Sequence, residues 1–149
     1  SMALRDDIES GESYFIVEIK SLKRILEESK KKEPLLCIID EVLRGTNTIE
    51  RIAASSRILN ALRKKWVLSF AATHDIELSY ILDSSYENYH FEEEVQEKEV
   101  VFSYILKKGR ATSRNAIQLL DMLGYDREIV EGARNAALNF EKNGFWNAL

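Results

Sequence analysis

The chain has 149 residues, 45% of them apolar and 31% charged, with a formal net charge of −4. This is a single domain's length with an ordinary globular composition, and its acidic balance excludes an autonomous nucleic-acid or anionic-membrane binder, because phosphate binding needs a concentrated positive field. A lone cysteine, Cys37, excludes an internal disulfide, and no apolar run approaches the roughly 20 residues that cross a bilayer, so a reducing cytoplasm and no membrane partner are expected.

After a polar opening, "SYFIVEIKSLKRILEES" places Phe15, Ile19, Leu22 and Leu26 at helical spacing. The charged "KKKE" breaks that pattern, and Pro34 leads into a strand over residues 35–40, "LLCIID", with Cys37 as a packed core thiol. The next helix is predicted from Thr48 to Arg63, with Ile49, Ile52, Ala53, Leu59 and Leu62 inward. "WVLSFAATH" reads as a second buried strand from Trp66 to Ala72 that ends on Thr73 and His74, and "DIELSYIL" as a short helix. "YENYHFEEEV" and "EVVFSYIL" alternate well enough for a two-stranded antiparallel hairpin. Two helices close the chain, "SRNAIQLLDMLG" stopped by Gly124, and "DREIVEGARNAALNFEKNG" opened by Asp126 and stopped by Gly144. Strand, helix, strand and helix in succession predict an α/β fold with a parallel sheet.

Both buried strands end in residues with chemical capability. Ligands of open parallel sheets bind beyond the carboxyl ends of the strands, so if the two strands are neighbours, Asp40, Glu41 and His74 converge. A strand-end carboxylate can hold Mg²⁺, a second beside it can take a proton from water, and a histidine can hydrogen-bond a phosphate oxygen. The plainer alternative keeps equal weight at this point: Asp40 and Glu41 cap a loop and His74 starts a helix.

"LLCIIDEVLRGTNT" followed by "LSFAATHDIEL" resembles the C-terminal ATPase domain of the MutS family of DNA mismatch repair proteins, a branch of the ABC-type P-loop ATPases. In that family a Walker B strand with an Asp-Glu pair runs into Arg-Gly-Thr-x-Thr, and Ala-Thr-His follows one helix later. "DDIESGESYFIVE" resembles the family's signature segment, and "SYILKKGRATSRNAIQLLDMLGYDREIVEGA" its closing stretch. The likeness runs in family order from about Asp6 to about Phe140 and implies a partial P-loop fold: signature turn and helix at 6–30, Walker B and histidine core at 34–82, hairpin at 86–106 and closing helices at 112–144.

The resemblance implies that Asp40 supports Mg²⁺, that Glu41 activates the attacking water, and that His74 contacts that water or the γ-phosphate. It implies that Ser13, with Gly11 in the same turn, reaches ATP bound by the other subunit of a dimer; a helix opening there would favour an anion. Arg44 to Thr48, including Asn47 and Thr48 as nucleotide contacts, would form the loop after Walker B at the dimer interface. Taken alone, Ser13 would be a plain helix cap and Arg44 a surface ion-pair partner.

The chain departs from the family pattern in three places. Leu43 stands where the family usually has Gly, which restricts the backbone, and Glu50-Arg51 stands where it usually has Asp-Gly. No Gly in the chain is followed by Lys, so the Gly-x-x-x-x-Gly-Lys-[Ser/Thr] phosphate cradle is absent from this sequence. The expectation is the second half of a MutS-like ATPase domain, with ATP and Mg²⁺ bound only in a full-length homodimer and DNA contacted by other domains. Two other readings stay open. One is a non-catalytic dimerisation or docking module, with Phe140, Phe145, Trp146 and Leu149 as an apolar tail; the other is a piece of another ABC-type ATPase.

Overall fold

The computed structural model of the chain describes residues 14–96, 99–111 and 115–148. It divides into two compact units, residues 1–88 and 89–149, each taken by itself below. The expected signature residues Gly11 and Ser13 lie outside the described residues.

In the first unit, helix α1 (Tyr14–Glu28) leads through a short 3₁₀ turn to strand β1 (Leu35–Asp40). Helix α2 (Thr48–Ala61), strand β2 (Val67–Ala72) and helix α3 (Ile76–Ile81) follow. The strands pair in parallel, Leu35 opposite Val67 through Asp40 opposite Ala72. A parallel pair needs a crossover, and α2 supplies it. Leu22, Ile39, Val42, Leu43, Leu59, Leu62 and Leu82 form the core, with Phe15, Leu26 and Ile58 packed against it. Buried Ser29 anchors the start of β2, its carbonyl accepting from Trp66 Nε1 at 2.8 Å and its hydroxyl bonded to Lys64 Nζ at 2.9 Å.

Two expectations need correction. Ile49 is 83% exposed and Ala53 also faces outward; the inward stripe of α2 runs through Ser55, Ser56 and Leu59 instead. Ile49 lies seven residues before Ser56, so the helical period sets it within about 20° of that inward side chain; it is exposed because it stands in the first turn of α2, ahead of the buried stretch at Ser55–Leu59. The strands are also not buried on both sides. Cys37 and Ile39 are covered, while Leu36, Ile38, Leu68 and Phe70 on the opposite face are 57–75% exposed. A two-residue side-chain period puts all four on one surface, and parallel sheets ordinarily have both faces covered.

In the second unit, β3 (Tyr89–His90) pairs antiparallel with β6 (Lys107–Lys108), and β4 (Glu93–Gln96) with β5 (Glu99–Phe102). The expected hairpin is therefore present, with a second short pairing outside it. Helices α4 (Ala116–Met122) and α5 (Arg127–Asn143) pack together, and Val130 is buried. Gly144, at φ 76°, ends α5 with its N–H on the Phe140 carbonyl at 2.7 Å, a left-handed stop that glycine makes without strain. The Trp146 ring stacks on Phe140 at 4.3 Å, so this part of the apolar tail folds back on α5. Among the described residues no helix is long and apolar enough to cross a membrane.

His90 ties β3 to β6. Its ring bonds the Gly109 carbonyl at 2.9 Å and Glu92 at 2.8 Å, and Lys107 also pairs with Glu92. The Glu92 bond, then the Gly109 carbonyl, raise the His90 pKa above its ordinary value, while Lys107 and His90 hold Glu92 below its own. A raised histidine contributes stability that is complete below about pH 6.5 and is lost as pH rises through the folded value; a lowered carboxylate contributes above about pH 4.5 and loses that as pH falls. The β3–β6 pairing is therefore expected to be firmest from about pH 4.5 to 6.5 and to loosen above that window. Amide exchange at Tyr89 and Lys108, corrected for intrinsic rates, checks this: His90→Gln should abolish the alkaline loosening, and a pH-independent profile in the parent would contradict it.

Candidate active site

Glu41 and His74 meet at the carboxyl end of the sheet. The register that sets Asp40 beside Ala72 carries the next residues of both strands out together, and the Glu41 N–H continues the ladder to the Ala72 carbonyl at 3.0 Å. His74 Nε2 lies 2.9 Å from Glu41 Oε1, and Arg44 Nε 3.0 Å from Glu41 Oε2. The Glu41 side chain is 23% exposed, whereas those of His74 and Arg44 are 93% and 74% exposed. The carboxylate is thus sheltered and its two partners stand toward solvent. A pair with so exposed an arginine is weakly bound, so Arg44 can leave Glu41 at little cost.

The backbone that presents Glu41 is left-handed at two non-glycine residues, Glu41 at φ 51° and Leu43 at φ 58°. Each costs about 1–2 kcal/mol for a residue with a Cβ. Leu43 is only 4% exposed, and burying a leucine contributes about 2 kcal/mol or more, which offsets its strain. Leu43 therefore adopts a left-handed backbone that a glycine would reach freely. Two side chains hold the turn: buried Ser55 donates to the Val42 carbonyl at 3.3 Å, and the Leu43 N–H donates to Glu18 Oε1. Glu18 is 6% exposed, and its Oε2 has no hydrogen-bond partner among the described residues. Burial pushes its carboxyl above the ordinary range, opposed by the Leu43 and Arg44 N–H groups. After the turn comes Gly45, where a Cβ would stand 3.0 Å from the Phe15 ring, so the glycine of the Arg-Gly-Thr segment lets α1 approach.

Arg51 closes the far side. Its Nε and Nη2 grip both Asp75 oxygens at 2.7 and 2.6 Å, and Nη1 reaches the Thr46 carbonyl at 3.4 Å. This fork links α2 to the residue after His74 and, with the Thr73 hydroxyl on the Asp75 N–H at 3.0 Å, fixes the end of β2. The Asp75 carboxylate raises the Arg51 pKa further above an already high value, so the guanidinium stays charged. Glu41, Val42, Arg44, Arg51, Thr73, His74 and Asp75 line a hollow of about 190 Å³. A larger apolar groove of about 590 Å³ between α1 and α2 contains none of the expected catalytic residues.

Of the residues singled out by sequence, Glu41 and His74 are brought together. Asp40 ends β1 on the exposed side of the strand and does not line the hollow. Among the described residues no group of three or more His, Cys, Asp or Glu could hold a metal; Mg²⁺ keeps most of its water and takes one or two carboxylates plus substrate phosphates, which a lone exposed Asp40 fits as one ligand. Asn47 caps α2, accepting from the Glu50 N–H at 3.0 Å and donating to the Glu50 carboxylate at 2.7 Å, and the Thr48 hydroxyl faces Arg51. Sequence reasoning did not single out Glu18, Arg51, Ser55 or Asp75 for roles at this site. For Glu18 a signal existed, because it falls on the stripe of Phe15, Leu22 and Leu26, where an acid is out of place.

A family profile described as MutS domain V matches residues 2–141. The DNA mismatch repair protein MutS of Thermus thermophilus is 30% identical over 129 residues, spanning 87% of this chain and 16% of that protein. MutS of Aquifex pyrophilus is 33% identical over 91% of the chain, and MutS of Prochlorococcus marinus 30% identical over 95%. The chain spans about a sixth of the length of each of these relatives.

The Arg51–Asp75 fork is expected to be worth about 2 kcal/mol, the scale of charged hydrogen bonds. Arg51→Ala should lower the unfolding free energy measured by urea denaturation by that amount in the parent but far less in an Asp75→Ala background. Equal losses in both backgrounds would show the two residues to be energetically independent.

Proposed function

The chain belongs to the MutS domain V family, and on that premise we propose that it supplies the Walker B and histidine elements of an ATP-hydrolysing domain, coupled in the longer protein to recognition of mismatched or structured DNA. The observation that carries this reading is the 2.9 Å contact between Glu41 and His74 at the carboxyl end of the parallel pair, where open α/β sheets bind ligands.

Glu41 is the proton acceptor in this reading. Its sheltered carboxylate takes a proton from a water once Arg44 swings away, and His74 steers the other oxygen while presenting its ring to the water or to a phosphate oxygen. The Arg51–Asp75 fork keeps the Thr73–His74 turn in place while this happens. Asp40 would offer one oxygen to Mg²⁺, which when bound neutralises phosphate charge. Gly11 and Ser13 keep the signature role in trans across a homodimer.

The phosphate cradle is absent from this sequence, so nucleotide binding depends on a segment that carries one. The open face of Leu36, Ile38, Leu68 and Phe70 supports this reading, since it offers an apolar surface on which the remaining layer of a P-loop ATPase domain can pack. The net charge of −4 supports leaving DNA contacts to other parts of the protein.

The chain alone is expected to show no ATP turnover. Joined to the segment bearing the Gly-Lys-Ser/Thr loop it should hydrolyse ATP, with Glu41→Gln slowing that by about 10²–10⁴-fold, the range for loss of a general base. Turnover by the chain alone that Glu41→Gln abolishes would overturn the dependence on a second segment. Turnover of the joined protein that Glu41→Gln leaves intact would overturn the role of Glu41.

A further inference from the structure

Glu18 is a carboxylate buried where the expected chemistry has no use for it. It sits on the second turn of α1, 6% exposed, in an apolar neighbourhood, with one oxygen on the Leu43 N–H and the other without a described partner. As a stability device this is a poor arrangement, because a half-satisfied buried acid costs more than an apolar side chain of the same size. What it does provide is an acceptor for the N–H of Leu43, the second of the two left-handed residues, with the Arg44 N–H beside it. If that N–H swung toward solvent, Leu43 would relax to negative φ. The peptide chain two residues back would then rotate, carrying the Glu41 carboxylate away from His74.

We propose that Glu18 is a positioning residue, whose carboxylate on α1 holds the Leu43 N–H and so sets Glu41 against His74. This deepens the reading of Glu41 as a proton acceptor and rests on it for its functional meaning. The geometric claim stands apart, because it concerns the chain without nucleotide. A consequence is that the place of α1 and the aim of Glu41 are linked through the Glu18 carboxylate: a shift of α1 that withdraws Glu18 also withdraws the base.

The test compares Glu18→Gln, which keeps an acceptor oxygen at the same reach, with Glu18→Met, which keeps the volume and removes the acceptor. Both are read in the isotopically labelled chain by amide exchange at Leu43 and by the proton contact between the Glu41 side chain and the His74 ring. Glu18→Gln is expected to preserve both signals. Glu18→Met is expected to speed Leu43 exchange by about tenfold, the factor for losing one hydrogen bond, and to erase the Glu41–His74 contact, while Cys37 and Leu59 stay as protected as in the parent. Retention of both signals in Glu18→Met would overturn the proposal, as would their loss in Glu18→Gln. If Glu18→Met does not fold, Glu18→Asp replaces it. There the acceptor is drawn back by about 1.5 Å, one carbon–carbon bond, so loss of the contact supports the proposal and its retention overturns it.

Discussion

The candidate site depends on a turn of three residues, Glu41 to Leu43, that would not hold its shape unaided. Two of them are left-handed with side chains attached, a combined cost of about 2–4 kcal/mol. Three neighbours from three different elements hold it. The Ala72 carbonyl at the end of β2 takes the Glu41 N–H, Ser55 on α2 takes the Val42 carbonyl, and Glu18 on α1 takes the Leu43 N–H. Strain of this kind persists only where the surroundings overdetermine it, and here α1, α2 and β2 all reach the same three residues. The turn is therefore where the fold and the proposed chemistry coincide.

The parallel pairing of β1 and β2 is the second requirement. A single register brings Glu41 beside Thr73 and His74, and a slip of one residue would turn Cys37 and Ile39 outward while bringing Leu36 and Ile38 in. The outer face of this sheet is as apolar as the inner one, and parallel sheets ordinarily have both faces covered. Covering that face would also desolvate the strand end where Asp40 stands, strengthening any interaction the carboxylate makes with a cation.

Much of this was legible in the sequence for identifiable reasons. The strands were visible because "LLCIID" and "VLSFAA" are short apolar runs followed by polar residues, and α5 because Asp126 and Gly144 bracket it at the right spacing. The meeting of Glu41 and His74 is expected on the condition that the two strands are neighbours, which the β1–β2 pairing meets, whereas Asp40 does not join them. The backbone of the turn was not legible, because nothing local marks a leucine for positive φ; Leu43 reads as restricting the loop, and its burial instead sustains a left-handed backbone. Arg51 read only as a departure from the usual Asp-Gly, since its partner Asp75 lies 24 positions away. Ile49 misled because it has an inward direction on α2 but stands in the first turn, ahead of the buried stretch.

Arg51 and Leu43 fasten the site, Arg51 through its fork on Asp75 and Leu43 through burial. Such a turn is expected to keep its form when nucleotide arrives and to move only the weakly held Arg44. The most direct measurement is a crystal structure of the chain joined to its phosphate-loop segment, with Mg²⁺ and a non-hydrolysable ATP analogue. The account predicts Leu43 still left-handed on Glu18, Glu41 released by Arg44, and its carboxylate facing the γ-phosphate beside His74. A relaxed turn with Leu43 at negative φ, and Glu41 still directed at the nucleotide, would contradict it.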